Sequence, residues 1–177
     1  MSVAVRCATT ADAPAIARVQ VETWRSAYSG IVPQEFLAAL DVGERTAMWQ
    51  KVLGGDDSHV FVAEDPDSVC GFVSGGRLRD GVDVAAQNYD SEIYTLYVLP
   101  AAQGRGAGRE LMRTLAARLV KDGLRRPVVW ALEKNPWCAF YERLGGKRVA
   151  QKMIEIGGAP LSDIAYGWDE IELLLDR

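Results

Sequence analysis

The alternating run "VAVRCA", Val3 to Ala8, predicts a first strand, because successive side chains of a strand point to opposite faces. A helical period follows. Thr10 or Asp12 can cap it, Pro14 sits in its first turn where a missing N–H does no harm, and Ile16, Val19, Thr23, Trp24 and Ala27 share one face before Gly30 stops it. "VPQEFLAALDVGERTAMWQKVLGG" reads as two short helices, one grouping Phe36, Leu37 and Leu40, the other Met48, Trp49 and Val52, with a stop at Gly54 and Gly55. "HVFVAED" and "SVCGFVSGGRLR" flank the turn "DPDS" and should pair as an antiparallel hairpin. The polar "DGVDVAAQNYDS" predicts a loop, and "EIYTLYVLP", β-branched, aromatic and ended by proline, a central strand. Leu111, Leu115 and Leu119 then recur at helical spacing, with Met112 and Ala116 beside them, until Gly123. "PVVWALE" is the next strand, "PWCAFYERLGG" the next helix, and "RVAQKMIEIGG" with "IAYGWDEIELLL" the last two strands. The order β, α, α, α, β, β, β, α, β, α, β, β predicts an α+β fold, a mixed sandwich of helices on one twisted sheet, as a single domain over residues 1–177.

A chain of 177 residues, 49% hydrophobic and 25% charged, can bury roughly 70% of its unfolded surface and needs no external brace. Its 20 basic and 24 acidic side chains give a net charge of -4, which argues against nucleic acid as the main partner. "MSVAVRCATTADAP" lacks the basic start, apolar centre and cleavage site of a signal peptide, and no apolar run approaches the ~18 to 20 residues of a membrane span. A cytoplasmic protein with no membrane partner is expected. Cys7, Cys70 and Cys138 are odd in number, far apart and without C-x-x-C spacing, so reduced thiols in or near the core are expected rather than disulfides or a metal site. His59, the sole histidine, reads as a polar residue opening a strand, and "GFVSGG" does not match a G-x-S-x-G elbow. Histidine-based hydrolase chemistry is therefore disfavoured.

Chemistry concentrates in "LYVLPAAQGRGAGRELM", where Gly104, Gly106 and Gly108 lie between a strand and a helix. Glycine lets backbone N–H groups turn toward one point, and the first N–H groups of a helix have no partner within it. Together with the helix dipole and Arg105 and Arg109 at the rim, they predict a phosphate or pyrophosphate site. "GRGAGRE" is neither G-x-x-x-x-G-K-[ST] nor a G-x-G-x-x-G fingerprint in a Rossmann unit, which disfavours nucleoside triphosphates and NAD.

"QGRGAG", Gln103 to Gly108, resembles the acetyl-CoA signature [QR]-x-x-G-x-[GA] of the GCN5-related N-acetyltransferase (GNAT) superfamily, with Gln103, Gly106 and Gly108 at the defining positions. The resemblance extends over "EIYTLYVLPAAQGRGAGRELMRTLAARL" and to a second signature, Asn135 followed by "AFYERLGG" where the family commonly has "FYERLGF". "VQVETWRSAYSGIVPQEFLAAL" is also similar to the N-terminal part of many members. The resemblance implies a central, mostly antiparallel mixed sheet of about seven strands flanked by helices and splayed between the fourth and fifth strands. It also implies acetyl-CoA as cosubstrate and no metal. The pyrophosphate would lie on Gln103, Gly104, Arg105, Gly106, Ala107, Gly108 and Arg109. The pantetheine arm would pair with the backbone of Leu96, Tyr97 and Val98 as an added strand, and bond Asn135.

Acetyl transfer needs a neutral amine, and an alkylammonium with a pKa near ~10.4 is almost wholly protonated at neutral pH. Glu92 stands eleven residues before Gln103, where histone-acetylating relatives carry their general base, and could act directly or through water; Glu22 and Asp90 are weaker substitutes. Strand alternation predicts Glu92, Tyr94, Leu96 and Val98 on one face. The resemblance makes the Leu96 N–H the donor to the oxyanion and Tyr141 the acid that protonates the leaving thiolate. Trp24, Tyr28, Trp49, Tyr94 and Trp168 are aromatic candidates for the acceptor wall. The expected partner is a small-molecule or peptide amine, and a homodimer is compatible with this reading. A non-catalytic CoA-binding sensor or interaction module of the same fold is the alternative.

Overall fold

The computed structural model describes residues 3–66, 68–80 and 88–176. Its seven strands are β1 (Ala4–Cys7), β2 (His59–Glu64), β3 (Val69–Arg77), β4 (Ser91–Val98), β5 (Pro127–Leu132), β6 (Lys147–Ile156) and β7 (Ala159–Gly167). They form one sheet in the order β1-β2-β3-β4-β5-β7-β6, antiparallel throughout except for β4 with β5. Helices α1 (Ala13–Ala27), α2 (Gln34–Ala39) and α3 (Val42–Leu53) precede β2, α4 (Ala107–Lys121) joins β4 to β5, and α5 (Cys138–Arg143) joins β5 to β6. The element order matches the one predicted. Most of the expected loop "DGVDVAAQNYDS" lies outside the described residues.

Two layers cover the sheet. On one face α4 buries Leu111, Leu115 and Leu119 against Val73, Ile93 and Val129; full burial of each leucine contributes about 1.5–3 kcal/mol. On the other face α1 and α3 pack Ile16, Val19 and Trp49 against Val62 and Phe72, while α1 and α2 close over the splayed half with Tyr28, Leu37 and Leu132. The start of α1 is held by Asp12, whose carboxylate accepts from the Thr9 N–H at 2.7 Å and from Arg6 Nη1 and Nη2, each at 2.8 Å.

Three expectations change. The last strand ends at Gly167, and Ile171–Leu174 is a short 3-10 turn instead of its continuation. Asp169 and Glu170 break the alternation, and Ile171 and Leu174 turn to bury themselves in the cluster under α4. Trp49 and Trp168 belong to the core, their indole N–H groups bound by Gln20 Oε1 and the Leu144 carbonyl, both at 2.9 Å. Of the thiols, Cys70 is buried and Cys138 partly so, but Cys7 is exposed on the edge strand.

The strand that matters most carries an irregularity. Ser74 pairs with Thr95 but Gly75 pairs with Ile93, so β4 has one residue more than β3 at Tyr94. This bulge inverts the alternation beyond it. Ile93, Leu96 and Val98 all pack on the α4 side, while Thr95, bonded to Ser74, and Tyr97 face α1 and α3. Glu92, directly opposite Gly76, falls on that second face, so the predicted row of Glu92, Tyr94, Leu96 and Val98 does not exist. Among the described residues no helix is long and apolar enough to cross a membrane, and no His, Cys, Asp and Glu group could hold a metal.

Candidate active site

β4 and β5 pair only at Ser91–Pro127, Glu92–Val128 and Ile93–Val129. Beyond these residues the two parallel strands diverge, and the β5-facing backbone of β4 from Tyr94 to Val98 has no strand partner. A cavity of about 390 Å³ opens there. Its lining joins Leu96, Tyr97 and Val98 of β4 to the loop residues Gln103, Gly104, Gly106, Gly108 and Arg109. Across from them stand Thr23, Ala27 and Tyr28 of α1, and Asn135, Trp137, Phe140, Tyr141 and Arg143 around α5.

The shape of the loop depends on glycine. Gly104 and Gly106 have φ of +73° and +88°, in the left-handed region that favours glycine, and an added Cβ at either would meet nothing within 4 Å. Conformation, not crowding, therefore selects glycine here, and the space beside both residues is open. Gly106 is the N-cap of α4, whose first intrahelical bond is Glu110 N–H to the Gly106 carbonyl at 3.0 Å. The N–H groups of Ala107, Gly108 and Arg109 lie ahead of that bond and have no partner in the helix. Gln103 ties the loop to the strand, its Nε2 donating to the Val98 carbonyl at 2.9 Å.

Four phenols and indoles shape the middle of the cleft. Trp24 does not line it but donates through Nε1 to Tyr97 Oη at 2.9 Å and stacks edge-on to Tyr28, with ring centroids 4.9 Å apart. Burial raises the pKa of Tyr28 and Tyr97, and for both the charge of Asp163 adds to the effect. Tyr141, 6% exposed, packs between Phe140 and Tyr166, and burial pushes its hydroxyl well above the ordinary phenol value. Tyr141 lines the cleft, its hydroxyl makes no hydrogen bond among the described residues, and the raised pKa keeps it protonated. Asn135 is engaged at both ends of its amide: Nδ2 donates to Tyr28 Oη at 3.2 Å, and Oδ1 accepts from the Trp137 N–H at 2.9 Å. It thereby sets the position of Tyr28 and the start of α5.

Several expected residues lie elsewhere. Glu92 is 1% exposed and does not line the cleft; its carboxylate is held by the Arg79 guanidinium, with Nε at 2.9 Å. Tyr94 also stands apart, its hydroxyl donating to the Arg77 carbonyl at 2.6 Å and its ring lying under Arg79. Glu22 is exposed beside Arg18, and Asp90 caps the N–H groups of Arg125 and Arg126. Arg105 and Ala107 belong to the loop and helix start without lining the cavity. Thr23, Ala27, Trp137, Phe140 and Arg143 were not singled out from the sequence as cleft residues. Thr23 read there as one more position on the buried face of α1, whereas Arg143 lies one helical step beyond Phe140 and was within reach of a periodicity argument.

A glycine loop thus opens α4 at the point where two parallel strands diverge, beside the unpaired edge of β4. The model of the acetyltransferase (GNAT) family matches residues 19–146, and the chain belongs to that family. It is 37% identical over 174 residues, 97% of this chain and 96% of the other, to a protein described as the uncharacterized N-acetyltransferase YuaI of Bacillus subtilis (strain 168). The fold is shared with a GCN5-related N-acetyltransferase from Rhodopseudomonas palustris, at a TM-score of 0.73 and 20% identity over 94% of this chain and 95% of that one. It is likewise shared with the PaiA N-acetyltransferase of Thermoplasma acidophilum in complex with coenzyme A, at 0.67 and 17% over 93% and 98%.

Proposed function

We propose that the protein is an acetyl-CoA-dependent N-acetyltransferase that acetylates a primary amine of a small molecule or peptide by direct attack of the amine on the thioester. One observation carries this reading: a single cleft gathers the open glycine loop, the unpaired edge of β4 and Tyr141. Coenzyme A is bound in the Thermoplasma protein of the same fold, which supports the choice of thioester. Acetyl-CoA would supply an activated acyl group and a thiolate leaving group.

In this reading the N–H groups of Ala107, Gly108 and Arg109 and the backbone at Gly104 and Gly106 hold the pyrophosphate, with Arg105 and Arg109 adding charge at the rim. The backbone of Leu96, Tyr97 and Val98 takes the pantetheine arm as an added strand, next to Asn135, and the Leu96 N–H faces the developing oxyanion. Tyr141 gives its proton to the departing sulfur. Tyr28, braced by Trp24 and Asn135, forms the acceptor wall on the α1 side. Arg79 seals the Glu92 carboxylate away from the cleft, so in this reading Glu92 can serve as the base only if water carries the amine's proton to it.

The test is a thiol-release assay with acetyl-CoA and a panel of primary amines. Release that depends on an amine, with the acetylated amine found by mass spectrometry, is the expected result; CoA binding without release for any acceptor would make the protein a binding module instead. Glu92→Gln should leave CoA affinity nearly unchanged and lower turnover by about 10- to 1,000-fold, most at neutral pH. An unchanged pH-rate profile would remove Glu92 from the proton path.

A further inference from the structure

The face of the sheet toward α1 continues from the cleft across β5 to β7, and it carries polar groups that the chain itself leaves unused. Asp163 lies directly opposite Leu132 of β5 and opposite Lys152 of β6, and so shares their face. Leu132 in turn packs against Tyr28. Asp163 is 7% exposed, and its carboxylate accepts no hydrogen bond and forms no ion pair among the described residues. Buried carboxylates are ordinarily paired, so this one is conspicuous. Lys152, the nearest cation, directs its Nζ over the Trp130 ring at 3.9 Å instead. Two more groups stand on the same side. The Thr23 hydroxyl, on a residue 5% exposed that lines the cleft, and the Trp130 indole N–H are both buried without a partner.

With neighbouring strands about 4.8 Å apart, Asp163 stands two strand spacings from β4, roughly 10 Å from the Leu96 backbone and more where the strands splay. That is too far for contact with a nitrogen reacting at Leu96, and a suitable distance for a second group on the same molecule. We infer that Asp163 binds a second cationic group of the acceptor, so that the enzyme selects amines carrying two positive charges, of which a short linear diamine is the simplest. The inference rests on the acetyltransferase reading for the position of the reacting nitrogen.

Electrostatics agree with the placement. Burial pushes the Asp163 carboxyl up to about 6, and Lys152 on β6 pulls it down. The other titratable groups in range are Tyr28 on α1, Tyr97 on β4 and Cys138 on α5, all raised first by burial and, in part, by the Asp163 charge. All three are neutral at pH 7, so nothing but Lys152 opposes a bound cation. An ammonium brought to Asp163 would lower its pKa and complete its bonding.

The experiment compares tetramethylenediamine and hexamethylenediamine with butylamine, for the wild type and Asp163→Asn. We expect kcat/KM for one of the diamines to exceed that for butylamine by about 10- to 100-fold, the worth of a charge-assisted hydrogen bond. In Asp163→Asn that ratio should collapse toward one, and in the wild type it should fall as pH drops through the Asp163 value. A direct readout accompanies the kinetics: the carboxyl carbon of Asp163, followed by NMR in the CoA-saturated wild type, should titrate at lower pH with diamine than with butylamine. A diamine effect on this titration without any turnover would sink the acetyltransferase reading, and with it the acceptor selectivity, and keep only the cation site at Asp163. Turnover of butylamine and diamines at equal rates, an equal loss for both in Asp163→Asn, or a titration that no diamine moves would overturn the inference and leave the acetyltransferase reading standing.

Discussion

Asp163 and Tyr141 are both buried and titratable, and burial acts on them in opposite senses for function: it keeps the phenol protonated and makes the carboxyl hard to ionise. Tyr141→Phe should therefore lower kcat by about 10- to 100-fold while leaving the KM for acetyl-CoA within about twofold, measured by steady-state kinetics alongside a melting curve. Because the phenol is raised, its ionisation should cause no loss of activity below about pH 10. Burial raises the Asp163 carboxyl as well, here into the range near neutrality. Its folded value of about 6 exceeds the ~3.9 of an unfolded carboxyl, so the folded state binds more protons between them and stability falls as pH rises through that window. Asp163→Asn, which lacks this slope, should be more stable than the wild type at pH 8 by roughly 1–3 kcal/mol and equal to it near pH 4, as read by chemical denaturation at the two pH values. Such a gain in stability together with a loss of acceptor selectivity is the exchange expected of a functional residue. Tyr141 was legible in the sequence because a short motif fixes it to one helical turn beside Phe140 and Leu144. Asp163 was not, because only the insertion of β7 between β5 and β6 brings it near the cleft.

The glycine loop and β4 operate as elements, and the two differ in how plainly the sequence marks them. Three glycines at alternate positions point to a backbone that must turn, and two of them adopt positive φ. Gly106→Ala should cost about 1–2 kcal/mol from backbone strain alone, since no atom stands in the way of the methyl group; differential scanning calorimetry would detect this as a lowered melting temperature, and an unchanged one would mean that the left-handed turn is not needed. The bulge in β4 has no such mark. Tyr94 and Thr95 are both good strand formers, and the extra residue arises where β3 offers Ser74 and Gly75 as partners. Alternation counted through Tyr94 therefore put Glu92 in line with Leu96, whereas the bulge turns Glu92 to the α1 face and under Arg79. The 3-10 turn at Ile171–Leu174 escaped for a similar reason: its aliphatic run has strand character, and only burial beneath α4 decides its shape.

At the scale of the molecule, the sheet is one piece up to Ile93 and Val129 and two diverging halves beyond. The α4 half carries the glycine loop, the C-terminal half carries Asn135, Tyr141 and Asp163, and α1 bridges the two with Thr23 and Tyr28. The order of elements could be read from the change of hydrophobic period along the chain, because strands and helices bury different spacings. The splay could be stated only through family resemblance, since no local pattern in "EIYTLYVLP" or "PVVWALE" says where two parallel strands stop pairing. The central claim is that this divergence is the acetyl-CoA site. Calorimetric titration of acetyl-CoA into the wild type and Gly106→Glu tests it most directly, with thermal melts to establish that both are folded. The account predicts binding of one acetyl-CoA per chain to the wild type and at least about 100-fold weaker binding to Gly106→Glu, where a carboxylate would occupy the phosphate cradle. Equal affinity in a folded Gly106→Glu protein would contradict it.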